Sequence, residues 1–199
     1  MTLNYQIAKE KMLSSSLDDE CLDFFEKNDY KLEAAYCYLF EDNLKKAKEY
    51  FESLSDSDIR AKWGFFLVNL IEGKVYEYPT YFELRNFLEI DINLLISYYK
   101  GDYVEKIAGY ADFLFTINPE VNKFIGRVFW NNDLKPQAMF FLDRAKSYFY
   151  KDPELHYLLA SIYYRENNIE KAEQAANDCL NILPNYYPAV NLLQKINRN

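Results

Sequence analysis

The residue types that carry most enzyme chemistry are scarce in this sequence. Its 199 residues include one histidine, His156, and three cysteines, Cys21, Cys37 and Cys179. A single histidine excludes the zinc motifs that need two, and any Ser–His or Cys–His pair would depend on His156 alone. We therefore interpret His156 as part of a helix face, and the sequence predicts a protein that is not an enzyme.

Recognisable sites for cofactors and metals are also missing from the sequence. The five glycines form neither a GxGxxG nor a GxxxxGK[ST] loop, and no two cysteines have CxxC spacing. We therefore predict no cofactor and no metal, and we interpret the cysteines as small core residues in a reducing compartment. The carboxylates of Asp18, Asp19 and Glu20 and of Asp56 and Asp58 stand where helix N-termini are expected, which favours capping and compensation of the helix dipole.

The composition favours a folded, helical chain. Half of the residues are apolar, 27% are charged, and glycine and proline are few, so a β-rich fold with many tight turns is disfavoured. The net charge of −8 disfavours nucleic acid as a partner.

No stretch of the sequence suits a membrane span or a signal peptide. The most apolar run, residues 65–71, is far shorter than the roughly 20 residues that a membrane span needs. The first residues carry charges at Lys9, Glu10 and Lys11, with no apolar stretch of signal-peptide length. We therefore expect no membrane insertion and a cytoplasmic location.

Two consecutive 34-residue segments, 119–152 and 153–186, align without a gap. Large apolar residues fall opposite large ones, and small residues fall opposite small ones. The matched pairs are Pro119 with Pro153, Ile125 with Leu159, Gly126 with Ala160, Phe129 with Tyr163, Trp130 with Tyr164, Ala138 with Ala172, and Ala145 with Cys179. Because small side chains let two helices approach closely, this pattern predicts two consecutive helical hairpins.

The pattern resembles the tetratricopeptide repeat, a 34-residue helix–turn–helix. In the second segment the family's signature positions are held by Leu159-Ala160, Tyr163, Ala172, Cys179 and Pro184. The chain departs from the family pattern at several positions. Asn122 and His156 stand where tryptophan is usual, and Tyr150 in the first segment stands where proline is usual.

Other parts of the chain resemble the same repeat less closely. Residues 28–54 fit its spacing, with an inter-helix turn at Asp42-Asn43, and residues 98–103 resemble such a turn slightly out of register. Trp63-Gly64 would open a further pair of helices, with Pro79 in the first turn of its second helix. Residues 188–197 predict an amphipathic helix that closes the array.

The resemblance implies an all-α fold, an α–α superhelix of about five to six helical hairpins with a C-terminal capping helix. We expect one helical-repeat domain over 1–199. Its expected parts are divergent N-terminal hairpins at 1–86, a degenerate repeat at 87–118, repeats at 119–152 and 153–186, and the capping helix at 187–199.

The resemblance also implies where a partner binds. In tetratricopeptide domains the first helix of each hairpin lines a concave groove, and the corresponding positions here are Lys123, Arg127, Trp130, Asn131, Tyr157, Ser161, Tyr164 and Arg165. Lys123 and Arg127 are four residues apart and share a helix face. We expect this cationic cluster to contact an acidic side chain or a peptide C-terminus, similar to the carboxylate clamp of chaperone-binding relatives.

The sequence therefore predicts a non-enzymatic scaffold that binds a peptide or protein partner in the concave groove. The alternative is a structural or assembly subunit that acts through self-association or contacts at the hairpin ends. The sequence leaves open whether the groove is exposed or filled by the chain's own N-terminus.

Overall fold

The computed structural model describes residues 3–75, 77–148 and 150–198. Within these ranges the regular structure consists of thirteen helices and no strand, so the expected all-α class is confirmed. The chain divides into two compact units, Met1–Asn118 and Pro119–Asn199. The division falls directly before the expected repeat at 119–152.

The first unit holds eight helices among its described residues. They are α1 (Tyr5–Leu13), α2 (Asp19–Lys27), α3 (Lys31–Phe40), α4 (Leu44–Leu54), α5 (Ile59–Ile71), α6 (Tyr81–Ser97), α7 (Gly101–Gly109) and α8 (Ala111–Phe115). Each helix packs against the next along the chain, as in helical-repeat proteins. The expected boundary at 86/87 lies inside α6 and does not separate two hairpins.

The second unit holds five helices among its described residues. They are α9 (Val121–Asn131), α10 (Lys135–Tyr148), α11 (Pro153–Arg165), α12 (Ile169–Ile182) and α13 (Tyr187–Ile196). The pairs α9–α10 and α11–α12 are the two expected hairpins, and α13 packs on α11 and α12. On α13, Ala189, Leu192 and Ile196 are buried, whereas Asn191 and Lys195 are exposed.

Side-chain caps fix the start of several helices. Asp18 caps α2 and Asp58 caps α5, as the sequence predicted. The start of α6 was predicted wrongly, because Pro79 lies outside the helix. Thr80 is the N-cap: its hydroxyl accepts from the backbone N–H of Glu83 at 3.2 Å, and the Glu83 carboxylate accepts from the N–H of Thr80 at 2.5 Å. This reciprocal pair satisfies two N–H groups that the first turn leaves unpaired.

The first helix of each hairpin ends in a common turn. A residue with positive φ follows the helix. The backbone N–H of the next residue donates a hydrogen bond to the carbonyl oxygen five residues earlier, as Leu134 does to Phe129 at 2.9 Å. The positive-φ residues after α6, α9 and α11 are Tyr99, Asp133 and Asn167, which are spaced 34 residues apart. The turn at 98–103 is therefore in register with the two later repeats, and the expected slip is absent there.

Close helix contacts occur at two glycines, Gly126, which the alignment singled out, and Gly64. A Cβ atom at Gly126 would lie 2.7 Å from Cγ of Leu142 and 3.1 Å from the carbonyl oxygen of Ala138. A Cβ atom at Gly64 would overlap the Phe51 ring. Both positions therefore need glycine for the helices to pack at this distance.

Candidate functional site

The candidate partner-binding surface in the second unit is formed by α9 and α11. The N-cap of α11, Asp152, uses Oδ1 to accept from the N–H groups of Glu154 at 2.9 Å and Leu155 at 3.2 Å. Pro153 occupies the first helical position, where its missing N–H costs nothing. This local geometry leaves Oδ2 of Asp152 pointing towards Lys123 on α9.

Lys123 is held in a cage of three carboxylates. Its Nζ lies 2.8 Å from Glu120, 2.7 Å from Asp152 and 2.8 Å from Glu154, and its side chain is only 2% exposed. Burial alone lowers the pKa of Lys123, but the hydrogen bonds to Asp152, Glu120 and Glu154 outweigh it and raise the pKa above its usual value. The ammonium group is therefore fully charged at neutral pH and saturated with acceptors.

Arg127 extends the same network by one helical turn. Its Nη1 donates to Oε1 of Glu154 at 2.5 Å. Burial raises the pKa of Glu154, but the contacts with Lys123 and Arg127 outweigh this effect, and the net shift is downward. The network joins α9 to the N-terminal turn of α11 through charge-assisted hydrogen bonds.

This geometry corrects the expectation of a cationic cluster open to a partner's carboxylate. Lys123 is buried, and the two cations Lys123 and Arg127 face three carboxylates of the chain itself. A ligand carboxylate at Lys123 would have to displace one of these groups. The sequence suggested the cluster because Lys123 and Arg127 share a helix face. Of the carboxylates that face them, Glu120 lies three residues before Lys123, but Asp152 and Glu154 lie 27 to 31 residues further along the chain.

The remaining predicted residues differ in exposure. Trp130 is buried, with Nζ of Lys135 lying 5.7 Å from its ring centroid. Tyr157 is half-buried and packs against Tyr186, with ring centroids 5.4 Å apart. The other accessible members are the half-buried Ser161 and Tyr164 and the exposed Asn131 and Arg165. The members on α11 follow helical spacing and share one face.

His156 has a structural role in the second unit. Its Nε2 lies 2.6 Å from the backbone oxygen of Tyr150, and because a carbonyl can only accept, this nitrogen carries the proton. Its Nδ1 lies 3.9 Å from Oδ2 of Asp178. The buried ring fills the position where the repeat family usually has tryptophan.

The first unit contains an apolar groove that the sequence analysis missed. The groove has a volume of about 230 Å³ and is formed by α1, α3, α5 and α6. The guanidinium of Arg60 lies 4.9 Å from the ring centroid of Tyr36 and 4.6 Å from that of Phe87. One feature of the sequence could have revealed this groove: the spacing of the apolar residues Phe87, Ile90 and Leu94 places them on one face of α6.

Asp91 holds two of the residues that line this groove, Tyr36 and Arg60. It is 1% exposed and accepts hydrogen bonds from Nε1 of Trp63 at 2.6 Å, from the Tyr36 hydroxyl at 3.3 Å and from Nη2 of Arg60. Burial raises the pKa of Asp91, and Arg60 and the hydrogen bonds oppose this shift only in part. The cluster therefore locks α3, α5 and α6 together around one buried carboxyl group.

Within residues 3–75, 77–148 and 150–198, no helix is long and apolar enough to cross a bilayer. In the same ranges, no three His, Cys, Asp or Glu side chains are grouped so that they could hold a metal ion.

The cysteines are buried, and burial raises the pKa of Cys37 and Cys179.

Comparison with known proteins identifies one segment. The family model of the tetratricopeptide repeat matches residues 153–186, the segment that holds α11 and α12. A search of curated proteins finds no match to this chain. The hairpin α11–α12 therefore matches the tetratricopeptide repeat, and the regular structure of the described residues is helical, with adjacent helices packed as in a repeat of this family.

Proposed function

We propose that this protein is a non-enzymatic binding module whose protein partner docks on the α9–α11 face. Tetratricopeptide repeats act in general as scaffolds for protein–protein interaction, which supports a protein partner. The observation that carries the choice of surface is the row of half-buried Tyr157, Ser161 and Tyr164 on α11, with exposed Arg165 beside it. Tyrosine suits such a surface because it combines apolar area with a hydroxyl group.

The carboxylate cage around Lys123 supports preorganisation of this surface. Its ion pairs form within the chain and need no ligand, so α9 and α11 are held together before a partner arrives. A partner that meets a preformed surface loses less binding free energy to ordering. In this proposal Lys123 positions the helices, and Arg165 supplies the positive charge that meets an acidic side chain of the partner.

Site-specific crosslinking tests the proposal. A photo-reactive amino acid is placed at Ser161 in one variant and at Glu173, an exposed residue of α12, in a matched control. We expect a discrete crosslinked protein from native lysate with the Ser161 variant and not with the control. The same product must weaken when Tyr157→Ala and Arg165→Glu are added.

Two results would count against the proposal. Equal crosslinking from Ser161 and Glu173 would move the interface away from the α9–α11 face. A crosslinked product that consists of two copies of this chain, with a mass that rises with concentration in sedimentation equilibrium, would favour the alternative of a self-associating assembly subunit. The cytoplasmic location stays a prediction.

A further inference from the structure

The apolar groove of the first unit is lined by two large aliphatic side chains that remain accessible to water. Leu13 of α1 and Ile90 of α6 both line it and are 49% and 50% exposed. Met12 and Leu94, which line the same groove, are buried. Single exposed aliphatic residues are ordinary in a folded protein, but two that line one concave surface beside buried apolar residues are typical of an interaction site.

The charged residues of the groove are paired within the chain. Nζ of Lys9 lies 3.4 Å from Oε1 of Glu33, which also accepts from the Tyr5 hydroxyl at 2.7 Å. Nη2 of Arg60 donates to the carboxylate of Asp91. Each of the three charged lining residues therefore has a partner of opposite sign, and the groove itself favours apolar side chains over a charged ligand.

The size of the groove favours side chains of a peptide over a small molecule. Its volume is about 230 Å³, whereas small-molecule sites typically have volumes of about 300–1,000 Å³. A few apolar anchor residues that enter a pocket of a partner carry most of the binding energy in many protein complexes. The groove is large enough for such anchors and too small to enclose most small ligands.

The walls of the groove favour a helical peptide. They belong to α1, α3, α5 and α6, whose backbone groups pair within the helices, so they offer no sheet edge to an extended segment. A proline-rich segment needs accessible aromatic faces, but Tyr36 is buried, and the guanidinium of Arg60 lies 4.6 Å from the ring centroid of Phe87. The remaining mode is an amphipathic helix that inserts apolar residues three or four positions apart.

The charge of the first unit determines the sign of the polar face of such a helix. Residues 1–118 hold 22 acidic and 13 basic side chains, whereas residues 119–199 hold 9 acidic and 10 basic ones. The first unit therefore carries a net charge of −9 and the second a net charge of +1. A field of this sign attracts a basic helix to the first unit and repels an acidic one.

We infer that the apolar groove of the first unit binds an amphipathic helix of a partner protein. The apolar face of this helix packs against Leu13 and Ile90, and its outward face is basic. The contact lies in the first unit and does not depend on the proposed α9–α11 surface, so either proposal can fail without the other.

Fluorescence anisotropy with designed peptides tests the inference on the full-length chain. The probe is a labelled peptide of about 18 residues with leucine at every third or fourth position and with lysine and alanine elsewhere. One matched peptide has the same composition in an order that removes the apolar face, and another has glutamate in place of lysine. We expect saturable binding of the probe and at least about tenfold weaker binding of each matched peptide at low salt.

Variants of the chain assign the binding to the groove. Leu13→Gln/Ile90→Gln removes apolar surface without changing the charge and should weaken the probe about tenfold. The control Ile169→Gln/Leu183→Gln makes the same two changes in the second unit, at side chains that are 37% and 44% exposed, and should leave the affinity unchanged. Circular dichroism verifies that both variants fold, as expected for substitutions at exposed positions.

Three results with the peptides would overturn the inference. The first is a probe that fails to bind the folded wild-type chain at millimolar concentration. The second is equal binding of the probe and the reordered peptide, or an equal loss of affinity in the groove variant and its control, because either would show a diffuse attraction to the acidic unit. The third is a glutamate peptide that binds as tightly as the probe, which would contradict the basic face.

Sedimentation equilibrium without peptide distinguishes a second copy of the chain from a partner helix. We expect the wild-type chain and the Leu13→Gln/Ile90→Gln variant to have the same mass. A wild-type dimer that this variant dissociates would show that a second copy occupies the groove, and it would also overturn the inference.

Discussion

Replacement of Lys123 by methionine should strongly destabilise the second unit. The substitution keeps the length of the side chain and removes the ammonium group, so Glu120, Asp152 and Glu154 are left facing one another. Removal of one partner from a buried ion pair costs about 3–5 kcal/mol. The carboxylates are 23%, 16% and 44% exposed, so water can reach them in part. We therefore expect a loss near 3 kcal/mol, about a hundredfold in the unfolding equilibrium.

The pH dependence of this loss is a second test of the same cause. The pKa of Glu154 is lowered in the folded protein, so its contribution to stability is present at neutral pH and is lost as the pH falls through that lowered pKa. The raised pKa of Lys123 makes its contribution complete at pH 7 and reduces it only in strongly alkaline solution. Protonation of Glu154 in acid relieves part of the repulsion in the variant. The difference between wild type and Lys123→Met should therefore shrink between pH 7 and pH 3.

Urea unfolding followed by circular dichroism gives the free-energy difference, and hydrogen–deuterium exchange of peptides from 119–199 assigns it to the second unit. Lys195→Met, at an exposed lysine of α13, is the control and should change stability little. A loss below about 1 kcal/mol at pH 7 would refute the role of the cage, because such a value is typical of a surface ion pair. A loss that stays constant down to pH 3 would also contradict the reasoning.

Two further predictions concern helix packing at Gly126 in the second unit and the buried carboxyl group of Asp91 in the first unit. Gly126→Ala should cost about 1–3 kcal/mol, because the added Cβ would lie 2.7 Å from Cγ of Leu142. In a double-mutant cycle followed by urea unfolding, Gly126→Ala should cost less when Leu142 is already alanine, although Leu142→Ala is itself destabilising. Asp91→Asn should cost about 3–5 kcal/mol, because it leaves Arg60 without its buried counter-charge. It should also shift the fluorescence of Trp63, whose indole N–H donates to Asp91; an unshifted spectrum with unchanged stability would contradict this account.

Much of the second unit could be predicted from local sequence. Gly126 and Ala160, placed 34 residues apart, marked the first helices of two hairpins, α9 and α11, and Gly126 lies where α9 approaches Ala138 and Leu142 of α10. The capping roles of Asp18 and Asp58 also followed from residue type, since short polar side chains satisfy the N–H groups of a first helical turn. The start of α6 was missed because proline and threonine next to each other both suit a helix start, and only the reciprocal contact with Glu83 decides between them.

The contacts at the candidate sites could not be predicted from the sequence. The partners of Lys123 and Arg127 come from the loop before α9 and from the start of α11, and spacing along one helix does not reveal them. A cleft beside α5 is lined by Glu52 of α4, Asn69 of α5 and Glu77 of a loop, three residues that share no motif.

The sequence by itself determined the helical class, the 34-residue period and the small residues at helix crossings, because these depend on contacts between neighbours along the chain. The tertiary structure alone decided which charges are neutralised within the chain and which are not. Lys123 and Glu52 are both charged residues of amphipathic helices, yet one is enclosed by three opposite charges and the other faces an open cleft. The difference is physical: the energy of a charge depends on every group within a few ångströms, and folding brings those groups from distant parts of the sequence.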